Sequence, residues 1–207
     1  MMQAMRLLLV NPNTSAAMTA RIDAAAREVA AATTQIIAVN PSFGPLSIEG
    51  HYDEAIAAAG VAQVVREHAG YEAVVLACFG DPGLDAAREA GAAPVLGIAE
   101  AAFHAASLLA TGFSIVTTMT RTCVIAERLV LRYGFGRSCR GIHGTDVPVL
   151  ELDDPASDAF ARIEAAARAA LERDRSGAIV LGCGGMSALC QTLSQRLGVP
   201  VIDAKGS

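Results

Sequence analysis

Several short runs in this chain are apolar at nearly every position: LLLV at 7–10, AVVLA at 73–77, FSIVT at 113–117 and AIVLG at 178–182. A strand with one wet face alternates apolar and polar residues. A strand of a parallel sheet is covered on both faces and reads as an unbroken apolar run. Longer segments with helical spacing separate the runs, and that alternation predicts a parallel sheet built from strand–helix–strand units. Strands are expected at about 5–10, 34–39, 73–77, 94–98, 113–117, 140–143, 178–182 and 199–202. Helices are expected at about 15–31, 52–68, 82–91, 99–110, 121–133, 155–173 and 186–197. Hydrophobic residues make up 53% of the chain while aromatics are 4% and Trp is absent, so Ala, Val, Leu and Ile must build the core.

The two halves of the chain repeat one another. Val10 before Asn11-Pro12-Asn13-Thr14 falls on Val116 before Thr117-Thr118, a shift of 106. Cys78 falls on Cys183, a shift of 105. A helix-like segment follows each cysteine, and then Ala93-Pro94-Val95-Leu96 or Val199-Pro200-Val201-Ile202. The fold class is therefore α/β, with two pseudo-symmetric lobes, each a mostly parallel sheet flanked by helices, and an active site in the cleft between them. The expected lobes are 1–98 plus 199–207, carrying the first cysteine, and 99–198, carrying the second; 207 residues suffice for two small lobes.

Composition excludes several classes of function. Net charge is −5 and no basic stripe interleaves with aromatics, which argues against a nucleic-acid partner. No apolar run reaches the ~20 residues of a membrane span, and the short run at the start meets Asn-Pro-Asn too soon for a secretory signal. The cytoplasm is the expected compartment, with the five cysteines as reduced thiols. There is no Cys-x-x-Cys and no His-x-x-x-His, so no metal site is expected. His51, His68, His104 and His143 are scattered. Neither glycine-rich nucleotide-binding pattern is present.

Ligands of open parallel sheets sit beyond the carboxyl ends of strands, where Asn11, Cys78, Thr117 and Cys183 all fall. Two lobes facing each other would put Cys78 and Cys183 on opposite walls of one cleft. A thiolate on one wall can take a proton from carbon, and a thiol on the other can return one to the opposite face. A free thiol titrates near 8.5, so the site must favour the thiolate. The helix expected after each cysteine supplies a positive N-terminus for that purpose. Gly80, Gly184 and Gly185 let backbone N–H groups approach the oxygen of an enolate. Asn11, Thr117 and Thr118 can add side-chain donors, and Phe43 and Phe79 apolar walls. For each residue a purely structural reading stands beside this one. Cys-Gly after a strand is often a tight turn, Asn11–Ser15 can simply cap a helix, and Asp81 is expected to cap the helix after Cys78. Cys123, Cys139 and Cys190 have no counterparts in the repeat, and Cys190 reads as packing.

LLLVNPNTS, GPLSIEGHYDEA at 44–55, LACFGDPGL at 76–84, FSIVTTMTRT at 113–122, TDVPVLEL at 145–152 and LGCGGMSAL at 181–189 together resemble the aspartate/glutamate/hydantoin racemase superfamily, most of all its hydantoin and allantoin racemase branch. The resemblance implies a racemase that uses no cofactor, with Cys78 and Cys183 as catalytic thiols and a hydantoin-type ring as its small-molecule substrate. It also implies a homo-oligomer. Amino-acid racemases of that superfamily usually carry Cys-Asn-Thr after the first cysteine. Here the run is Cys78-Phe79-Gly80-Asp81, which lacks the carboxylate-binding hydroxyl. Relatives usually continue from a similar V-I-D-A into a last helix, so Lys205–Ser207 reads as a trimmed or an appended end, and Met1–Ala4 as dispensable or added. Three other readings compete: an arylmalonate decarboxylase-like enzyme, a maleate isomerase-like enzyme, and a small-molecule binding protein with inert thiols.

Overall fold

The computed structural model describes residues 5–148, 151–152 and 157–203. The expectations for Met1–Ala4 and Lys205–Ser207, and for the start of the helix at 155, lie outside them. The chain divides into two compact units, Met1–Ile98 and Ala99–Ser207.

The first unit carries β1 (Arg6–Val10), α1 (Ala16–Val29), β2 (Gln35–Val39), α2 (His51–Glu67), β3 (Ala73–Leu76), α3 (Leu84–Ala90) and β4 (Val95–Gly97). Its sheet has the order β2-β1-β3-β4, and every pairing is parallel. Leu8, Val10, Val74 and Leu76 are wholly buried, as strands covered on both faces require. Ser15 starts α1, its hydroxyl accepting from the Met18 N–H at 3.2 Å. Where α2 passes the loop before it, a Cβ on Gly60 would lie 2.8 Å from Pro41 Cβ, so only glycine permits that approach.

The second unit carries β5 (Phe113–Thr117), α5 (Cys123–Arg132), β6 (Cys139–Gly144), α6 (Ala159–Asp174), β7 (Ala178–Leu181), α7 (Cys190–Leu197) and β8 (Val201–Ile202). The helix α4 (Ile98–Leu109) begins on the last residue of the first unit. The order β6-β5-β7-β8 repeats the first sheet strand for strand, again parallel throughout. Val116, Ile163, Ile179, Leu181, Met186 and Leu193 form one buried cluster. Phe103 of α4 stacks on Phe113 at 5.5 Å, with Phe135 edge-on, so half the chain's six phenylalanines meet at one point.

All eight expected strands form, with boundaries shifted by a residue or two. Three details differ from the sequence reading. Val201 and Ile202 pair with Ile179 and Val180, so the segment expected in the first lobe belongs to the second sheet. The short path through α7 returns the chain beside β7, as α3 returns it beside β3. The helix expected from 186 begins as a 3-10 turn over Gly184–Leu189, and α7 starts only at Cys190. Two adjacent glycines are poor α-helix formers. Finally, α3 has seven residues and its N-cap is Gly83, in the left-handed region at φ 76°.

A polar cluster ties α6 to the second sheet. Asp174 accepts from Ser114 Oγ at 2.8 Å, from Arg173 Nε at 3.3 Å and from His143 Nε2. Burial alone would raise the Asp174 carboxyl, but the bonds from His143, Ser114 and Arg173 outweigh it and hold the group below the usual range. A carboxyl lowered by folding adds stability above its unfolded pKa, near 3.9, and that contribution disappears as pH falls through the folded value. Asp174→Asn is therefore expected to have a lower Tm than the parent at pH 7. The variant's Tm should also drop less than the parent's between about pH 6 and pH 3. Parallel Tm-against-pH curves would contradict this account.

Candidate functional site

The register fixes which residues correspond. The Ala77 N–H donates to Val10 O at 2.8 Å, and the Gly182 N–H donates to Val116 O at 2.8 Å. Cys78 and Cys183 are each one residue further on, and Asn11 and Thr117 follow the accepting residues. The two turns then close alike. Cys78 O accepts from the Asp81 N–H at 2.9 Å, and Cys183 O accepts from the Met186 N–H at 3.0 Å. Both thiols are half-buried at the carboxyl end of a buried strand, where ligands of parallel sheets bind.

Around Cys78, the side chain of Phe79 is buried and Gly80 half-buried. Asn11 lies at the end of β1 and is 1% exposed. Its amide donates to Asn13 Oδ1 at 2.8 Å, Thr19 Oγ1 at 3.0 Å and Ser15 O at 3.3 Å, and its oxygen accepts from the Asn13 N–H at 3.3 Å. Asn11 is thus a lock on the 11–15 loop. Thr14 in that loop bonds Pro45 O through both its N–H, at 3.0 Å, and its hydroxyl, at 3.2 Å. This holds the segment carrying Phe43, which is exposed. His51 opens α2 and pairs with Glu54.

Around Cys183, the Thr117 hydroxyl donates to Gly182 O at 3.1 Å, and a Cβ on Gly182 would lie 2.8 Å from Thr117 Cβ. Thr117 and Thr118 are both buried. The helix-dipole argument for the thiols needs correction: α3 begins six residues after Cys78, and Cys183 caps a 3-10 turn. In that turn Met186 is the first N–H with a carbonyl behind it, so Gly184 and Gly185 present theirs outward from the turn. Gly184 is exposed, with open space around its Cα.

Sequence reasoning missed Thr145 and Asp146. The Thr145 hydroxyl reaches the carbonyls of Thr117 and Thr118, each at 3.2 Å. Asp146, at φ 52°, accepts from the Thr120 N–H at 2.9 Å and from its hydroxyl at 3.0 Å. Together they clamp the loop after β5. A Thr-Asp pair just past a strand is a turn signal that could have marked them. No group of three or more His, Cys, Asp or Glu side chains suited to a metal occurs among the described residues. No helix there is long and apolar enough to cross a membrane.

The model of the Asp/Glu/Hydantoin racemase family matches residues 7–205. The chain belongs to that family. It is 44% identical over 201 residues to a hydantoin racemase from Rhizobium meliloti, covering 96% of this chain and 83% of that protein. Among solved structures, an allantoin racemase from Klebsiella pneumoniae is 54% identical, with a TM-score of 0.92 over 97% of this chain and 83% of its own. An allantoin racemase from Pseudomonas fluorescens is 36% identical, with a TM-score of 0.93 over 97% of this chain and 86% of its own.

The remaining cysteines of this Asp/Glu/Hydantoin racemase family member stand in surroundings that favour the protonated thiol. Burial pushes the Cys139 thiol up to about 11 and also, with a further push from Asp203, the Cys190 thiol up to about 11. Burial, then Glu127 and Asp146, raise Cys123. Cys190 Sγ donates to Val201 O at 3.0 Å, which makes it packing, as expected. Since only the thiolate is alkylated, iodoacetamide at pH 7.5 is expected to modify Cys78 and Cys183 at least about tenfold faster than Cys139 and Cys190. Equal labelling of all five, read by peptide mass spectrometry, would contradict this and favour inert thiols.

Proposed function

We propose that this protein is a racemase of hydantoin-type rings, allantoin included, with Cys78 and Cys183 as its paired base and acid. The observation that carries this reading is the shared setting of the two thiols. Each stands one residue past a strand-end hydrogen bond, with its carbonyl held by the N–H three residues on. Kinship with hydantoin and allantoin racemases supports the same reaction.

The reaction follows from the chemistry of the ring. The ring carbon that bears the substituent lies between a carbonyl and a nitrogen, so its proton is acidic. The thiolate of one cysteine takes that proton, and the electron pair of the C–H bond moves onto the carbonyl oxygen as an enolate. The thiol of the other cysteine protonates the carbon on the opposite face. The enantiomer is inverted, and the two sulfurs have exchanged protonation states, ready for the reverse direction. No electrons leave the system, and proton transfer needs each sulfur within hydrogen-bond reach of the carbon.

The enolate oxygen is the costly charge, and backbone N–H groups fixed before the reaction lower its cost most. Gly184, Gly185 and Gly80 are placed in this role. Thr117 and Thr118 line the substrate at the second cysteine, Phe79 and Phe43 at the first, and Asn11 holds the loop beside them. A neutral ring needs no cationic clamp. We also propose a cytoplasmic location, where thiols stay reduced, and a homo-oligomer. Leu108, Leu109 and Leu131 are apolar side chains exposed on the second unit.

Loss of optical rotation, followed separately for single enantiomers of a 5-substituted hydantoin and of allantoin, tests the assignment. The parent should racemise at least one of them. Cys78→Ser and Cys183→Ser should each lose at least about a thousandfold in kcat with an unchanged Tm. Racemisation at the parent rate by both variants would refute the two-thiol mechanism.

A further inference from the structure

Among the described residues only two carboxylates are fully buried, Asp81 at 2% and Asp203 at 6% exposure. They stand at different positions of the repeat, yet they mark the same corner of it. Asp81 is the third residue after Cys78, and its counterpart after Cys183 is Met186. Each donates its N–H to the cysteine carbonyl. On the neighbouring strand, Val74 N–H donates to Pro94 O at 2.9 Å, and Ile179 N–H donates to Pro200 O at 3.0 Å, so the two prolines correspond. Three residues past Pro94 stands Gly97; three residues past Pro200 stands Asp203. The pair Asp81 and Gly97 in the first unit is therefore exchanged for Met186 and Asp203 in the second.

Space makes the exchange reciprocal. A Cβ on Gly97 would overlap the Asp81 carboxyl, so that carboxyl fills the place where a side chain at position 97 would stand. In the second unit the corresponding position carries the carboxylate itself, and the third residue after the cysteine is a wholly buried Met186. Asp203 directly follows β8, and Val201 O of that strand accepts from Sγ of Cys190, the first residue of α7, at 3.0 Å, so this strand end lies against the helix that follows the cysteine turn. A buried carboxylate is retained only where it is hydrogen-bonded, and bonds from backbone N–H groups to a carboxylate are the strong ones. One such group at the junction of the cysteine turn and the next strand end could hold both.

We propose that Asp81 and Asp203 are equivalent positioning residues, each holding the cysteine turn of its own unit from the same corner by way of a different sequence position. This rests on the reading of Cys78 and Cys183 as the reacting thiols. The decisive variant gives the first unit the residue pair of the second. Asp81→Met is expected to lower kcat at least about tenfold while KM stays within about twofold. Adding Gly97→Asp should restore at least about fivefold of that loss in kcat. A double variant with the Tm of Asp81→Met and no recovery overturns the proposal.

Two milder variants decide the matter without substrate, should the double variant fold poorly. Asp81→Asn should move the ratio of Cys78 to Cys183 alkylation by at least about threefold. Asp203→Asn should move the ratio in the opposite sense. A ratio unmoved by either, or moved the same way by both, also overturns it. Alkylation needs no racemase activity, so an inactive parent would count against the proposed reaction and leave this arm to decide the positioning role.

Discussion

Two hydrogen bonds set where the two thiols stand: from the Asp81 N–H to the Cys78 carbonyl, and from the Met186 N–H to the Cys183 carbonyl. Each turns the chain immediately after a strand buried on both faces. A thiol two residues earlier would be packed inside the sheet. Several residues later it would ride on a helix, free of the strand that fixes its height. The i to i+3 closure stops the chain where a sulfur is still anchored by the sheet and already open to a ligand. Net hydrogen-bond energies are only ~1 kcal/mol each, so placement is their main contribution.

The rest of each unit serves that placement. β1 and β5 lie beside the cysteine strands and end in register with them, which brings the 11–15 and 117–122 loops alongside the thiols. Asn11, Asn13, Thr117 and Thr118 in those loops are polar and buried, and Asn11 is satisfied internally by Asn13, Ser15 and Thr19, and Thr117 by Gly182. With those side chains engaged in holding the loops, the proposed reaction relies on backbone N–H groups, such as those of Gly184 and Gly185. Such groups need no reorganisation as charge develops on a substrate oxygen.

Most of the fold was legible because two-sided burial writes itself into sequence as unbroken apolar runs, and because the halves repeat. The repeat even paired Pro94 with Pro200, and hence β4 with β8. Assigning 199–207 to the first lobe set that correspondence aside, and the sheet pairing follows the repeat. Other features left weaker traces. The 3-10 turn after Cys183 was hidden because Gly184 and Gly185 suit a turn and a helix start alike. The Ser114–His143–Asp174 cluster joins residues far apart in sequence, and nothing local announces it. Asp81 reads as a helix cap because it precedes Pro82-Gly83, and nothing local announces that its carboxyl also fills the space left by the missing side chain at Gly97 on β4. The matching settings of the two cysteines were legible from the repeat and the glycines around them, whereas the clamp by Thr145 and Asp146 left only a turn signal past β6.

The central claim is a division of labour: one sulfur serves one face of a single carbon, and the second sulfur serves the other. Solvent deuterium incorporation at the substrate's ring carbon tests it most directly, measured by mass spectrometry on each pure enantiomer with each single-cysteine variant. Cys78→Ser should exchange one enantiomer and leave the other untouched, with no inversion, and Cys183→Ser should show the opposite preference. Exchange of both enantiomers by either variant, or the same preference in both, would contradict it.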